Sequence, residues 1–221
     1  MCGRFTLTTT ADIVADVFDA TPSADFSPRY NIAPTQTVAI VRCAGSGARR
    51  TMDPAHWGLI PSWAKDAAIG NRMINARAET VAEKPAYRAA FRRRRCLVPT
   101  DGFYEWQRTS DGKKPHWIHR IDGSPFAMAG LWESWKSAEE VVESFTIITV
   151  TPNSLMKPIH DRMPVILAPG AYDRWLDPSS DATAELIELL APFPDGNLEA
   201  VAVGTYVNSP RHDDPHCIEP A

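Results

Sequence analysis

The chain opens Met1-Cys2-Gly3. With so small a residue in third place and cysteine in second, methionine aminopeptidase is expected to remove Met1 and leave Cys2 first. Cys2 then carries an α-amine and a thiol on adjacent carbons. The ordinary α-amine pKa of about 7.7–8.0 leaves a useful fraction neutral near physiological pH, and the thiol is intrinsically nucleophilic. That pair matches an aldehyde. The amine condenses to an imine, and the thiol closes a five-membered thiazolidine in an intramolecular step of large effective molarity. Two other readings fit the same start. Cys2 is an early residue of a buried first strand, or it is an N-terminal nucleophile acting on glutamine with its own amine as base. Amidotransferases of the second kind feed ammonia to a synthase domain, for which 221 residues leave no room.

Other residue types bear on chemistry. In Phe103-Tyr104-Glu105-Trp106, strand alternation puts Tyr104 and Trp106 on one face and Phe103 and Glu105 on the other. A carboxyl beside an aromatic ring is partly desolvated, which raises its pKa toward a proton-shuttling range; the plainer alternative is a salt bridge to a nearby arginine. His212-Asp213-Asp214-Pro215-His216-Cys217 has metal-ligand residue types but no second pair at ligand spacing, and no metal is expected. No Walker or dinucleotide glycine pattern is present, so no nucleotide or other cofactor is expected. Cys2, Cys43, Cys96 and Cys217 are widely spaced with no CxxC pair. Without a signal peptide, a bilayer-length apolar run or a Met-Gly myristoylation start, they read as free thiols in a reducing, cytoplasmic compartment.

The charge balance, 23 basic against 27 acidic residues, excludes a wholly basic DNA-coating protein. It leaves room for a local positive cleft, because Arg72, Arg77, Arg88 and Arg92–Arg95 lie close together in sequence. A solvated helix end is the competing account of the Arg92–Arg95 run.

The elements that must position these residues are mostly strands. Residues 11–20 have helical spacing after a possible cap at Thr8–Thr10. Residues 30–34 read as irregular, 37–42 and 52–59 as two strands joined by a loop over 43–50, and 61–70 as a Trp-bearing loop. Residues 75–80 are short and polar, and 85–94 read as a helix with a basic end. Strands are expected over 96–99, 102–107, 116–120, 126–132, 145–151 and 163–167, helices over 172–176 and 182–190, and a last strand over 200–207. Many short strands with few helices predict an α+β fold, a mainly antiparallel sheet or open barrel with peripheral helices. With no repeat and no composition break, residues 1–221 read as one domain.

Six blocks then occur in order: Met1-Cys2-Gly3-Arg4-Phe5, Tyr30-Asn31-Ile32-Ala33-Pro34-Thr35, Trp57-Gly58-Leu59-Ile60-Pro61-Ser62-Trp63, Asn75-Ala76-Arg77-Ala78-Glu79-Thr80, residues 96–106 (Cys-Leu-Val-Pro-Thr-Asp-Gly-Phe-Tyr-Glu-Trp), and Ile159-His160-Asp161-Arg162-Met163-Pro164. Together they resemble the SRAP (SOS response-associated peptidase) family, from Met1 to about the final strand. The resemblance implies a compact β-rich fold with a positive cleft. It also implies covalent crosslinking to abasic sites in single-stranded DNA, which shields the lesion from strand cleavage and error-prone bypass. The peptidase label reflects the notion that Cys2 drives proteolysis or its own processing.

Carried onto this sequence, the resemblance makes Cys2 the nucleophile toward the C1′ aldehyde of the opened sugar. Asn75 would hold the Cys2 terminus or the sugar, an amide being able to donate and accept without titrating. Glu105 would relay protons, and His160 would protonate the sugar ring oxygen and assist reversal. Thr149 would add a hydroxyl. Arg4, Arg77 and Arg162 would take phosphates, while Trp106 and Trp63 stack on or wedge beside bases and Pro34 holds them apart. The other five tryptophans read as packing. The implied partner is abasic single-stranded DNA, met at the nucleoid by a monomer, with β-lyase activity when the imine is intercepted before ring closure. A cysteine peptidase or amidohydrolase, and a single-strand binder with an incidental Cys2, are the rival readings.

Overall fold

The computed structural model describes residues 2–45, 48–180 and 182–221. Met1, whose removal the aldehyde chemistry needs, lies outside the described residues, as do Ser46 and Gly47 of the expected 43–50 loop.

The strands are β1 (Phe5–Leu7), β2 (Ala20–Pro22), β3 (Arg29–Ile32), β4 (Thr37–Cys43), β5 (Arg50–Trp57), β6 (Asn75–Arg77), β7 (Arg95–Thr100), β8 (Gly102–Thr109), β9 (Gly112–Arg120), β10 (Phe126–Lys136), β11 (Val141–Val150), β12 (Met163–Pro164), β13 (Ile166–Leu167) and β14 (Leu198–Ala202). Helices are short: α1 (Ala11–Phe18), α2 (Arg88–Arg93), α3 (Tyr172–Leu176) and α4 (Thr183–Glu188). Among the described residues no helix is long and apolar enough to cross a membrane.

The expected β-rich α+β architecture is present, and its barrel closes. The antiparallel path β11-β10-β7-β4-β5 returns on itself where β5 meets β11 in parallel, Ser144 opposite His56 and Phe145 opposite Trp57. Closure leaves those strands no free edge. Inside lie Ile40, Val41, Met52, Leu97, Val98, Phe145 and Ile147, all inaccessible to solvent. Alternation of apolar residues on the long strands fills this interior, and Trp57 and Trp175 are fully buried with it. Helix α1 seals one side through Val14 and Phe18 and ends at Asp19 in the left-handed region (φ 46°).

The second sheet runs β14-β9-β8-β1-β3 and is antiparallel throughout. Its central strand β8 turns directly out of β7, so Asp101 and Gly102 join the two sheets. A Cβ at Gly102 would stand 2.1 Å from the Trp117 indole nitrogen, so only glycine lets β8 and β9 approach there. Asp101 fastens the chain leaving β1. Its carboxylate accepts from the Thr6 hydroxyl (2.6 Å), the Thr8 N–H (2.5 Å) and hydroxyl (2.7 Å), and the Thr9 N–H (2.9 Å). Hydrogen bonds to a charged group contribute about 1.5–3 kcal/mol each and stranded partners add a penalty. An Asp101→Ala protein is therefore expected to lose about 3 kcal/mol or more of stability in urea unfolding. A loss below about 1 kcal/mol would show that this carboxylate does not hold β1 in place.

Candidate functional site

Cys2 precedes β1 and lies alongside β8. Phe5 pairs with Phe103, and the Tyr104 N–H donates to the Arg4 carbonyl at 2.9 Å, which lays residues 2–4 beside 104–106. Cys2 is fully buried. Burial pushes its thiol pKa up, and the neighbouring Glu105 charge pushes it further. Asn75 begins β6, which lies parallel to β11 with Ile147 opposite Asn75. Its Nδ2 donates to the Cys2 carbonyl at 2.7 Å, while its buried Oδ1 makes no hydrogen bond with the described residues.

Glu105 shares its strand face with Phe103, and Tyr104 and Trp106 turn to the other side, where they pack against Tyr30, Trp117 and Val203. Glu105 is 2% exposed. Burial raises its carboxyl pKa, against the opposing pull of a cationic His160. His160 Nε2 is 3.8 Å from Glu105 Oε2. The ring is delivered by a turn after β11, in which the Ile159 and His160 N–H groups both donate to the Met156 carbonyl at 2.9 Å. The Arg162 N–H donates to His160 Nδ1 at 3.0 Å, which leaves the neutral ring's proton on Nε2, facing Glu105. The Asp161 carboxylate, 3.0 Å from Nδ1, is an acceptor for the doubly protonated ring. A nucleophile, an amide, a carboxyl and an imidazole thus converge from four separate segments, which is a set suited to acid–base-assisted addition at a carbonyl.

The arginines and aromatics around this centre differ in how free they are. Arg4 directs Nη1 to Asn31 Oδ1 (2.7 Å) and the Val207 carbonyl (2.9 Å), and its guanidinium lies 5.7 Å from the Trp106 ring centre. Burial lowers its pKa. The Trp106 indole donates to Asn208 Oδ1 at 2.7 Å. Arg77 ends β6 with its side chain exposed. Arg162 is forked onto Glu79 (2.5 and 2.9 Å) and also donates to the Thr149 carbonyl. Thr149 itself is buried, and its hydroxyl donates to the Ala76 carbonyl at 3.3 Å instead of standing open. Pro34 lies in the β3–β4 turn, just before Thr35 with φ 69°. Trp63 is 61% exposed in a segment fastened by the Trp135 indole to the Ala64 carbonyl.

Two sequence features take other roles than a cleft or a metal site. Within Arg92–Arg95, Arg95 is buried and donates to the carbonyls of Trp175 and Phe91 (2.6 Å each) and of Arg92 and Asp177, and burial lowers its pKa to about 10. Arg94 pairs with Glu133 at 2.7 Å. In the 212–217 run, the His212 ring stacks on Tyr206 (3.8 Å, 10°), Asp213 accepts from the Tyr30 and Asn31 N–H groups (2.6 and 2.8 Å), and Asp214 accepts from the Tyr206 hydroxyl (2.8 Å). This run is a fastening for the segment that holds Arg4 and Trp106. Asn31, fully buried, completes it by donating Nδ2 toward the carbonyls of Val207, Ser209 and His212. Asn31, Glu79, Asp101 and Asn208 went unnoticed as supporting residues. An asparagine inside an apolar stretch, such as Asn31 before Ile32, was the one available signal.

A closed barrel whose chain start is enclosed by an amide, a carboxyl and an imidazole defines a class of protein that carries its nucleophile at the amino end. The comparisons agree with the six sequence blocks. The chain belongs to the SOS response associated peptidase (SRAP) family, whose model matches residues 1–210. It is 44% identical to the abasic site processing protein YoaM of Bacillus subtilis (strain 168), over 96% of this chain and 95% of that one. It is 33% identical to the abasic site processing protein HMCES of Xenopus tropicalis, over 89% of this chain and 65% of that one. Its fold is similar to the crystal structure of a Bacteroides thetaiotaomicron protein, with a TM-score of 0.89 at 29% identity over 100% of both chains. A Bordetella bronchiseptica protein is similar with a TM-score of 0.80 at 28% identity, over 92% of this chain and 100% of that one.

Proposed function

We propose that this protein processes abasic sites in single-stranded DNA by capturing them covalently through the amine and thiol of Cys2. The enclosure of Cys2 by Asn75, Glu105 and His160 carries the reading, and the names of the relatives support it. Removal of Met1 by methionine aminopeptidase frees the amine. The amine nitrogen attacks the C1′ aldehyde of the opened sugar to give a carbinolamine. An acid in the His160–Glu105 pair protonates its hydroxyl, and water leaves to form the imine. The thiol sulfur then adds to the imine carbon. Its proton passes to the Glu105 carboxylate, and the nitrogen takes one up. The sum is aldehyde plus aminothiol giving thiazolidine plus water. Because burial keeps the thiol protonated, ring closure needs a base, and Glu105, made more basic by burial, is the group at hand. An imine intercepted before closure supports β-elimination, hence lyase activity. Arg77, Arg4 and Arg162 bind backbone phosphates, Trp106 and Trp63 engage bases beside Pro34, and Thr149 shapes the site from below. The protein acts as one domain and one chain at the DNA, in the cytoplasm.

One gel tests the chemistry. The Met1-processed protein is mixed with a uracil-containing oligonucleotide previously treated with uracil glycosylase. A heat-stable protein–DNA band is expected for wild type and none for Cys2→Ala, whereas Cys2→Ser retains imine-dependent strand scission without the stable band. A band undiminished in Cys2→Ala would sink the reading, and cleavage of an aldehyde-free peptide in place of the band would favour the peptidase.

Glu79 adds a second expectation. Its carboxylate occupies the fork that Arg162 would offer a phosphate, and that hydrogen bond holds the Glu79 pKa low. Glu79→Gln removes the competing charge and is expected to tighten binding of undamaged single strand about 3- to 10-fold at low salt. Fluorescence anisotropy checks it, and weaker binding would mean that Glu79 serves to hold Arg162 in place.

A further inference from the structure

A groove of about 580 Å³ opens directly beyond His160. Trp106 and Arg108 of β8 form one wall; Pro152, Lys157 and Pro158 of the segment after β11 form the other. We infer that this groove is the seat of the nucleotide adjoining the abasic site on the same strand, its base lying between Trp106 and the prolines and its phosphate between Arg108 and Lys157. The inference rests on the reading of the protein as a binder of abasic single-stranded DNA.

Four observations support it. The first is continuity: His160 lines the groove and also stands 3.8 Å from Glu105, so a strand with its lesion at Cys2 passes a neighbour over the imidazole. The second is chemistry. The walls offer flat apolar surface, which suits a base of any identity, since stacking tolerates all of them. The third is charge. Arg108 and Lys157 are exposed, and neither forms an ion pair among the described residues. Against these two cations stands one lining carboxylate, Asp161, which is turned to His160 Nδ1 at 3.0 Å. The fourth is preorganisation. Gln107 Nε2 donates to the Pro158 carbonyl at 3.1 Å and ties the two walls together, while Asn208 holds the Trp106 indole. The volume falls within the roughly 300–1,000 Å³ of pockets that enclose small ligands, so one nucleotide fills it.

The test uses the full chain carrying Arg108→Glu and Lys157→Glu, titrated with a labelled undamaged 12-nucleotide single strand at several salt concentrations. Two lost phosphate contacts are expected to make the slope of log K against log salt shallower by about 1.4. An unchanged slope overturns the inference. This readout does not involve Cys2 chemistry, so a failure to form any adduct would sink the proposed function without deciding the groove. With abasic oligonucleotides, the double variant is expected to slow adduct formation about tenfold or more at limiting DNA. That defect should vanish when the strand is cut back to the lesion on one side and persist when it is cut back on the other. A defect that survives both truncations overturns the assignment of the groove to a neighbouring nucleotide. Far-ultraviolet circular dichroism and a urea midpoint confirm that the variant is folded.

Discussion

A Glu105→Gln protein is expected to form the abasic-site adduct about 10²–10⁴-fold more slowly, the range typical for loss of a positioned acid–base group, and yet to be more stable than wild type. The two effects have one origin. Glu105 is buried, and desolvation raises its pKa. A carboxyl whose folded pKa exceeds its unfolded value binds protons more tightly in the folded state. Its folded state is therefore least penalised below the unfolded pKa, near 4.3, and stability falls as pH rises from there through the folded value. Each unit of upward shift corresponds to about 1.4 kcal/mol lost above the folded pKa. Glutamine carries no such penalty, so the stability gap between variant and wild type should open with rising pH and then level. Urea unfolding at pH 4, 6 and 8 reads this, and adduct formation in single-turnover gels reads the rate. The thiol gives a further check. The Glu105 charge raises the Cys2 pKa, so Glu105→Gln should make the thiol titrate lower even as adduct formation slows. A variant that was slow but no more stable at pH 8 would mean that Glu105 is held ionised by partners and is not a proton shuttle.

The second large effect concerns the chain start. With one alanine inserted between Met1 and Cys2, aminopeptidase exposes alanine, and amine and thiol no longer sit on adjacent carbons. The five-membered ring cannot form. Effective molarities for well-placed intramolecular partners reach about 10⁵–10⁸ M, so the heat-stable band is expected to disappear while affinity for undamaged single strand stays within about threefold. Mass spectrometry of the purified protein verifies the new first residue. A full-strength stable band from this protein would show that the thiol or another nucleophile acts without the adjacent amine.

The sequence made the long strands readable because their apolar residues alternate over the barrel interior. Strands β4, β5 and β8–β11 fall where the alternation places them, and the Tyr104/Trp106 and Phe103/Glu105 division of faces follows from the same period. Short strands were not readable. The segment Tyr30–Ile32 reads as irregular because Asn31 interrupts it, yet Asn31 is buried and its amide is satisfied by carbonyls some 180 residues further on, such as that of His212 (|i−j| = 181). Asn75–Arg77 pairs with β11 despite its polarity, because its partner supplies the hydrogen bonds. The last strand stops at Ala202 where Val207 was expected, since Gly204 leads into a 3-10 turn over Thr205–Asn208. The residue types at the site were readable, but their commitments were not. Nothing local distinguishes Arg95, which turns inward to cap the chain near Trp175 and Asp177, from Arg92 beside it. Nor does the sequence show that Arg162 is already engaged by Glu79.

The fastening of Arg4 and Asn31 to the carbonyls of Val207, Ser209 and His212 has a consequence for biosynthesis. Translation proceeds from the amino end, so the reactive cysteine emerges long before the residues that lock its surroundings. A ribosome-bound chain carries Cys2 without the finished nest, and aldehyde scavenging at full rate begins only after nearly the whole polypeptide has emerged.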